Sequence, residues 1–228
     1  MKTISPENWE IMRANLVEAN GEIAELDAWL SYLHTGTVPT GWRGAERIWD
    51  RHEFTVRTLY ISFEHAYHHI NYAWNSRFYP AKRVVSCAQI DFRNWERFPA
   101  DFGRLMPRQM SYLVREVYKG RLDYFNLRRM IREATMFLES AIKEIEGVLK
   151  GDASCSDETF ARDIELTLAH LNMAWHCRRY EIEQSIELGC KMSNLNRWKK
   201  YPREFTRFWE GKKSSMNSCR SCEKQWLE

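Results

Sequence analysis

An apolar seam of eight positions occurs twice in this chain, and no other feature constrains the fold as much. The first copy follows Ser5-Pro6-Glu7, a good N-cap, a first-turn proline and an early acid. Apolar residues then fall at Trp9, Met12, Leu16, Ala19, Ile23, Leu26, Leu30 and Leu33, and Gly36 ends the run. Alternating steps of three and four describe a helix that presents one continuous stripe to a partner of similar direction. The seam returns 115 residues later as Tyr124, Leu127, Ile131, Ala134, Leu138, Ala141, Ile145 and Val148, with Gly151 in the place of Gly36.

A heptad seam alone is common to many bundle helices, but a second match is more specific. His69-Ile70-Asn71-Tyr72-Ala73-Trp74-Asn75-Ser76-Arg77 returns as His170-Leu171-Asn172-Met173-Ala174-Trp175-His176-Cys177-Arg178, with five identities at an offset of 101 residues. Glu64 and Glu165 match upstream. Downstream, Trp95, Phe98, Pro99, Phe102 and Arg104 match Trp198, Tyr201, Pro202, Phe205 and Arg207. Order is kept throughout, and the change of offset places an excess of 14 residues in the first interhelix loop, roughly Thr37 to Asp50. Internal duplication is the economical explanation.

Each unit then reads as a seam helix, a loop, a long second helix with the Glu/His/Asn/Trp/Arg set, and a Trp-x-x-aromatic-Pro exit. Pro80 bends or restarts the first copy's second helix. The second copy has Glu181 there, so its helix is expected to continue towards Gly189. Residues 107–122 are apolar enough to extend the third long helix backwards. Period-two alternation is absent, so no sheet is expected. The fold class is all-α: an internally duplicated antiparallel bundle of four principal helices with approximate two-fold pseudo-symmetry. The units span 1–106 and 107–210, and 211–228 form a basic, cysteine-containing tail.

Composition sets the outer bounds. With 44% hydrophobic and 29% charged residues in 228, the chain suits a folded globular protein, not a disordered or fibrous one. The N-terminus lacks the apolar core of a signal peptide, and no apolar run nears membrane-spanning length, so a cytoplasmic protein with no membrane partner is expected. Six cysteines without an export signal are expected as free thiols. Cys219-Arg220-Ser221-Cys222 is a lone CxxC, short of two ligands for zinc.

The repeated polar set supports three readings. At 100° per residue Glu64 and Asn71 lie within about 20° of each other, with Trp74 nearby, while His69, Ala73 and Arg77 share the opposite side. The packing reading gives His69 and His170 a carbonyl or carboxylate at a helix contact, and gives Arg77 and Arg178 an acid or an indole face. A metal reading brings Glu64 towards His170, or His69 towards His170, across the pseudo-axis, as a di-metal or bis-His haem site; one helix cannot aim Glu64 and His69 at one ion, being about 140° apart. An enzymatic reading makes His69 or His170 a general base and Arg77 or Arg178 an anion stabiliser in metal-independent RNA cleavage. Arg47-x4-His52 resembles the Arg-x4-6-His motif of HEPN-type helical ribonucleases, although the second copy lacks it. The packing reading is preferred, with no cofactor.

Charge supplies the functional expectation. Residues 1–50 carry four basic and eight acidic side chains, 77–132 carry 13 and five, 133–189 carry five and 12, and 191–224 carry ten and three. The basic blocks coincide with the two aromatic exits. There Arg93, Trp95, Arg97, Arg104, Trp198, Lys199, Lys200, Arg203 and Arg207 interleave cations with rings, a pattern that suits phosphates and exposed bases. Repeated aromatics are expected mainly in the core, leaving the cations for a partner. RNA or single-stranded DNA is the favoured ligand of a non-enzymatic binding or assembly subunit; an acidic protein surface, or self-association through the acidic blocks, would use the same charges.

Overall fold

The computed structural model describes residues 3–37, 56–86, 94–95, 123–152, 156–178 and 184. They form five packed helices and no strand: α1 (Pro6–Thr35), α2 (Val56–Ser76), α3 (Ala81–Ser86), α4 (Tyr124–Leu149) and α5 (Asp157–Cys177).

The helix ends follow local chemistry. Ser5 caps α1 by accepting from the Asn8 amide at 3.2 Å, and Asp123 and Ser156 cap α4 and α5 in the same way at 2.7 and 3.1 Å. Gly36 leaves α1 at φ 73°, its N–H bonded to the Tyr32 carbonyl at 2.7 Å. Gly151 follows α4 at φ 79°, and the Asp152 N–H reaches back to the Gly147 carbonyl at 2.9 Å. Both are left-handed positions that favour glycine. Pro80 precedes α3, so the break between α2 and α3 falls where the sequence placed it.

The bundle closes as a ring. α1 packs on α2 and α4, α4 packs on α5, and α5 meets α2. Ion pairs fix the direction of the two seam helices: Arg13 lies 3.6 Å from Glu146 and Arg128 lies 2.8 Å from Asp27, so α1 and α4 run antiparallel. Asn15 against His69 with Glu22 against His65, and Glu133 against His170 with Glu144 against Ser156, fix the same sense for α1–α2 and α4–α5. One core draws on all four long helices. Seven of the eight seam positions of α1 are buried, and so are the six inner positions of the α4 seam. The ends of those seams, Leu33, Tyr124 and Val148, are half-buried.

Three features differ from the sequence reading or fall beyond it. First, α4 is not extended backwards as a continuous helix: Asp123, at φ −87° and ψ 99°, is extended backbone that caps its start. Residues 107–122 themselves lie outside the described residues, as do the 14-residue excess, the Arg47–His52 motif and, apart from the helical Gln184, the expected continuation from Glu181 to Gly189. Second, a satellite cluster of Ile11, Tyr72, Val84 and Trp95 flanks the main core, using a position of α1 off the seam. Third, Cys177 is a buried free thiol, while the other five cysteines lie outside the described residues. No helix among the described residues is long and apolar enough to cross a membrane.

Candidate functional site

The repeated polar set occupies two different surfaces of α2 and α5, as the 100° spacing requires. Glu64, Asn71 and Trp74 are buried on the inner face of α2, and Asn172 and Trp175 are buried on α5; Glu165 is half-buried. This inner face joins α2 to α5. The Tyr67 hydroxyl donates to Asn172 Oδ1 at 2.6 Å, the Phe63 ring meets the Trp175 ring edge-on at 5.6 Å, and Trp74 stacks on Phe160 at 6.0 Å. Each tryptophan therefore packs against the first half of the other hairpin's second helix. Ala73 and Ala174, small enough for close helix approach, are also buried.

Arg77 and Arg178 make the same pair of contacts. Each is the first residue after its helix. Arg77 Nη1 donates to the Trp74 carbonyl at 2.6 Å while its guanidinium lies 3.9 Å from the centre of the Trp74 ring. Arg178 Nη1 donates to the Trp175 carbonyl at 2.5 Å and its guanidinium lies 4.2 Å from that ring. One cation thus satisfies a carbonyl at the helix C-terminus, where positive charge is favoured, and covers an indole face. The carbonyls of the two arginines are held in turn from matched positions at the start of the seam helices. Asn8 Nδ2 donates to the Arg77 carbonyl at 2.8 Å, and the Asp123 N–H donates to the Arg178 carbonyl at 2.9 Å.

The two histidines do not share a site. His69 faces α1, its Nδ1 lying 3.3 Å from Asn15 Oδ1. His170 faces α4: Nδ1 is 2.8 Å from the Leu166 carbonyl, Nε2 is 3.1 Å from Glu133 Oε2, and the ring stacks on Phe137 at 5.2 Å. An oxygen acceptor therefore lies beside each ring nitrogen of His170. His170 thus lies between a backbone carbonyl of its own helix and a carboxylate of α4.

Next to His69 the first hairpin carries two histidines without counterparts in the second. His65 is exposed, 3.5 Å from Glu22, and the His68 ring lies 5.0 Å from that of His69. Burial, aided by the charge of His65, pushes His68 down to about 4. Burial, then His68, push His69 down to about 3 against the opposing pull of Glu22. Both rings are therefore neutral near pH 7. His65 and His69 have the HxxxH spacing of a metal-binding helix, a signal that reading the repeat alone passes over. Among the described residues, however, no three His, Cys, Asp or Glu side chains converge as a metal site.

Of the interleaved cations and rings, only Trp95 is among the described residues. It is 2% exposed, packs against Tyr72 and Tyr79, and its carbonyl accepts from Asn75 Nδ2 at 2.8 Å. Its ring thus belongs to the core, as expected of a repeated aromatic, and is not offered to a base. Arg93, Arg97, Arg104, Trp198, Lys199, Lys200, Arg203 and Arg207 lie outside the described residues. The described part of the first basic block has its own surface rings, Phe78 and Tyr79, which lie just past the matched segment; Tyr79 aligns with Tyr180, whereas Phe78 aligns with Arg179. No family model matches the chain, and neither a curated protein nor a solved structure is significantly similar to it.

Proposed function

We propose that the chain is a non-enzymatic binding or assembly subunit that contacts RNA or single-stranded DNA through its basic aromatic segments. The observation that carries this reading is the engagement of the repeated histidines and arginines in packing. Arg77 and Arg178 each hold a tryptophan carbonyl and cover its ring, and His170 is held between Leu166 and Glu133. A general base needs a free lone pair within reach of its proton, and an anion stabiliser needs donors aimed at the reacting oxygen. Arg77 and Arg178 instead direct donors to carbonyls at their own helix ends, and both ring nitrogens of His170 lie beside oxygen acceptors, which favours packing over catalysis for these residues. The function then falls to the charge pattern, in which the cations of 77–132 and 191–224 are mostly not members of the set.

The same reading takes the bundle as a duplicated hairpin with approximate two-fold pseudo-symmetry, with units 1–106 and 107–210 followed by a basic tail at 211–228. The matched Arg–Trp contacts and the matched ties from Asn8 and Asp123 support it. A cytoplasmic location suits such a subunit.

Replacing Lys199, Lys200 and Arg203 together with Ala tests the binding role. Binding to a single-stranded oligonucleotide should weaken and its salt dependence should flatten; unchanged affinity and slope count against the role. His170→Ala separates this reading from metal-independent RNA cleavage: a lower Tm with no cleavage by the wild type supports packing, whereas wild-type cleavage that the variant abolishes without unfolding supports the enzyme.

A further inference from the structure

We propose that the turn joining α2 to α3 is a base-stacking platform for single-stranded nucleic acid, a role that rests on the binding function proposed above. Phe78 and Tyr79 are successive residues there, and each is 38% exposed. Single exposed apolar residues are ordinary on a protein surface. This pair differs because the backbone beneath it is tied down. One side-chain amide, Asn8 Nδ2, donates to the carbonyls on both sides of Phe78, those of Arg77 and Tyr79, at 2.8 and 2.7 Å. The Tyr79 N–H donates to the Ser76 carbonyl at 2.9 Å, and the Tyr79 ring leans on buried Trp95 at 5.1 Å. Groups held this way lose little freedom when a ligand docks.

Each ring also carries a cation. The Arg77 guanidinium lies 4.5 Å from the centre of the Phe78 ring, and that of Arg83 lies 4.9 Å from the Tyr79 ring. Lys82 and Arg83 are exposed on α3 immediately beyond. A nucleotide offers a flat π-face and a phosphate, and this turn offers rings for the first and Lys82 and Arg83 for the second. Duplexes hide the faces of their bases in the stack, so the ring pair selects unpaired strands. Glu7 and Glu10 line the hollow between α1 and α3 together with Ile11, Lys82 and Val85, and their charge keeps the phosphates on the Lys82–Arg83 edge. An acidic peptide would satisfy the cations but leave the rings unused.

The test uses the full chain and three labelled probes: a U12 RNA, a dT12 DNA and a 12-base-pair duplex. The double variant F78L/Y79L keeps apolar bulk and removes the rings. It should bind U12 and dT12 about tenfold more weakly at every salt concentration, with an unchanged salt slope. F78Y should retain wild-type affinity, and K82A/R83A should lower the slope by about 0.7 per cation. If Tyr79→Leu disturbs Trp95 and lowers the Tm, F78L carries the test alone. Wild-type affinity in the ring variants, alongside lost affinity in the Lys199/Lys200/Arg203 variant, overturns the platform and leaves the broader reading standing. Failure of the wild type to bind any probe overturns both. Binding to poly-glutamate but not to U12 or dT12 replaces both with an acidic protein partner.

Discussion

Tyr67 on α2 and Asn172 on α5 are joined by a 2.6 Å hydrogen bond although 105 residues separate them, and both side chains are buried. Asn172 belongs to the repeated set, whereas the residue matched to Tyr67 is Leu168. The bond therefore ties the two hairpins through one repeated and one unrepeated side chain. Tyr67→Phe keeps the ring and removes only the donor to a buried carbonyl, which costs about 1–3 kcal/mol. Urea unfolding should show a lower midpoint with an unchanged m-value. An unaltered midpoint would mean that the bond contributes nothing to closing the ring.

The Arg–Trp contacts predict a contrast between buried and exposed arginines. Arg178 is 5% exposed, and its planar fork serves a carbonyl and an indole at once. Lysine keeps the charge but loses the fork and much of the stacking. Arg178→Lys should lower stability by about 1–2 kcal/mol. Arg162→Lys, at a side chain 69% exposed and 3.8 Å from Asp163, should leave the Tm unchanged. Equal effects of the two changes would remove the structural role assigned to Arg178.

Much of this was legible in the sequence. The seams gave α1 and α4 their buried stripes because a helix fixes which residues share a face. The 100° spacing likewise separated Glu64 and Asn71 from His69 before any contact was known. Helix pairing was not legible, since one sequence does not say which stripe meets which. Only the structure shows that His69 faces Asn15 and that His170 faces Glu133. The start of α4 was misread although its signal was present: Asp123 is a good N-cap, and the apolar character of 107–122 drew attention past it. Ile11 lies off the seam and Phe78 has no counterpart in the second copy, so neither the stripe nor the repeat points to them; Tyr79, which aligns with Tyr180, falls just past the matched segment.

Acid should loosen the first hairpin more than the second. His68 and His69 are held at about 4 and about 3 in the fold, against about 6.5 when unfolded. Below about pH 6.5 the unfolded chain takes up protons that the fold excludes, so stability is full above that pH and is lost as pH falls towards 4. Each such histidine contributes a slope of about 1.4 kcal/mol per pH unit in this window. The groups facing them are His65, Glu22, Asn15 and Tyr72. His68→Ala installs the residue found at the matched position, Ala169, and should flatten the fall in Tm between pH 7 and pH 5. An identical fall in the variant would show that His68 is not excluding a proton.

The most direct test of the central claim is a titration of the purified full-length protein into labelled single-stranded RNA, single-stranded DNA and duplex DNA at several salt concentrations. The account predicts binding to the single strands that weakens steeply as salt rises, with a slope that falls by about 2 when Lys199, Lys200 and Arg203 are replaced by Ala. Absence of binding to every probe, even at low salt, would contradict it and leave the basic segments to an acidic protein partner or to self-association.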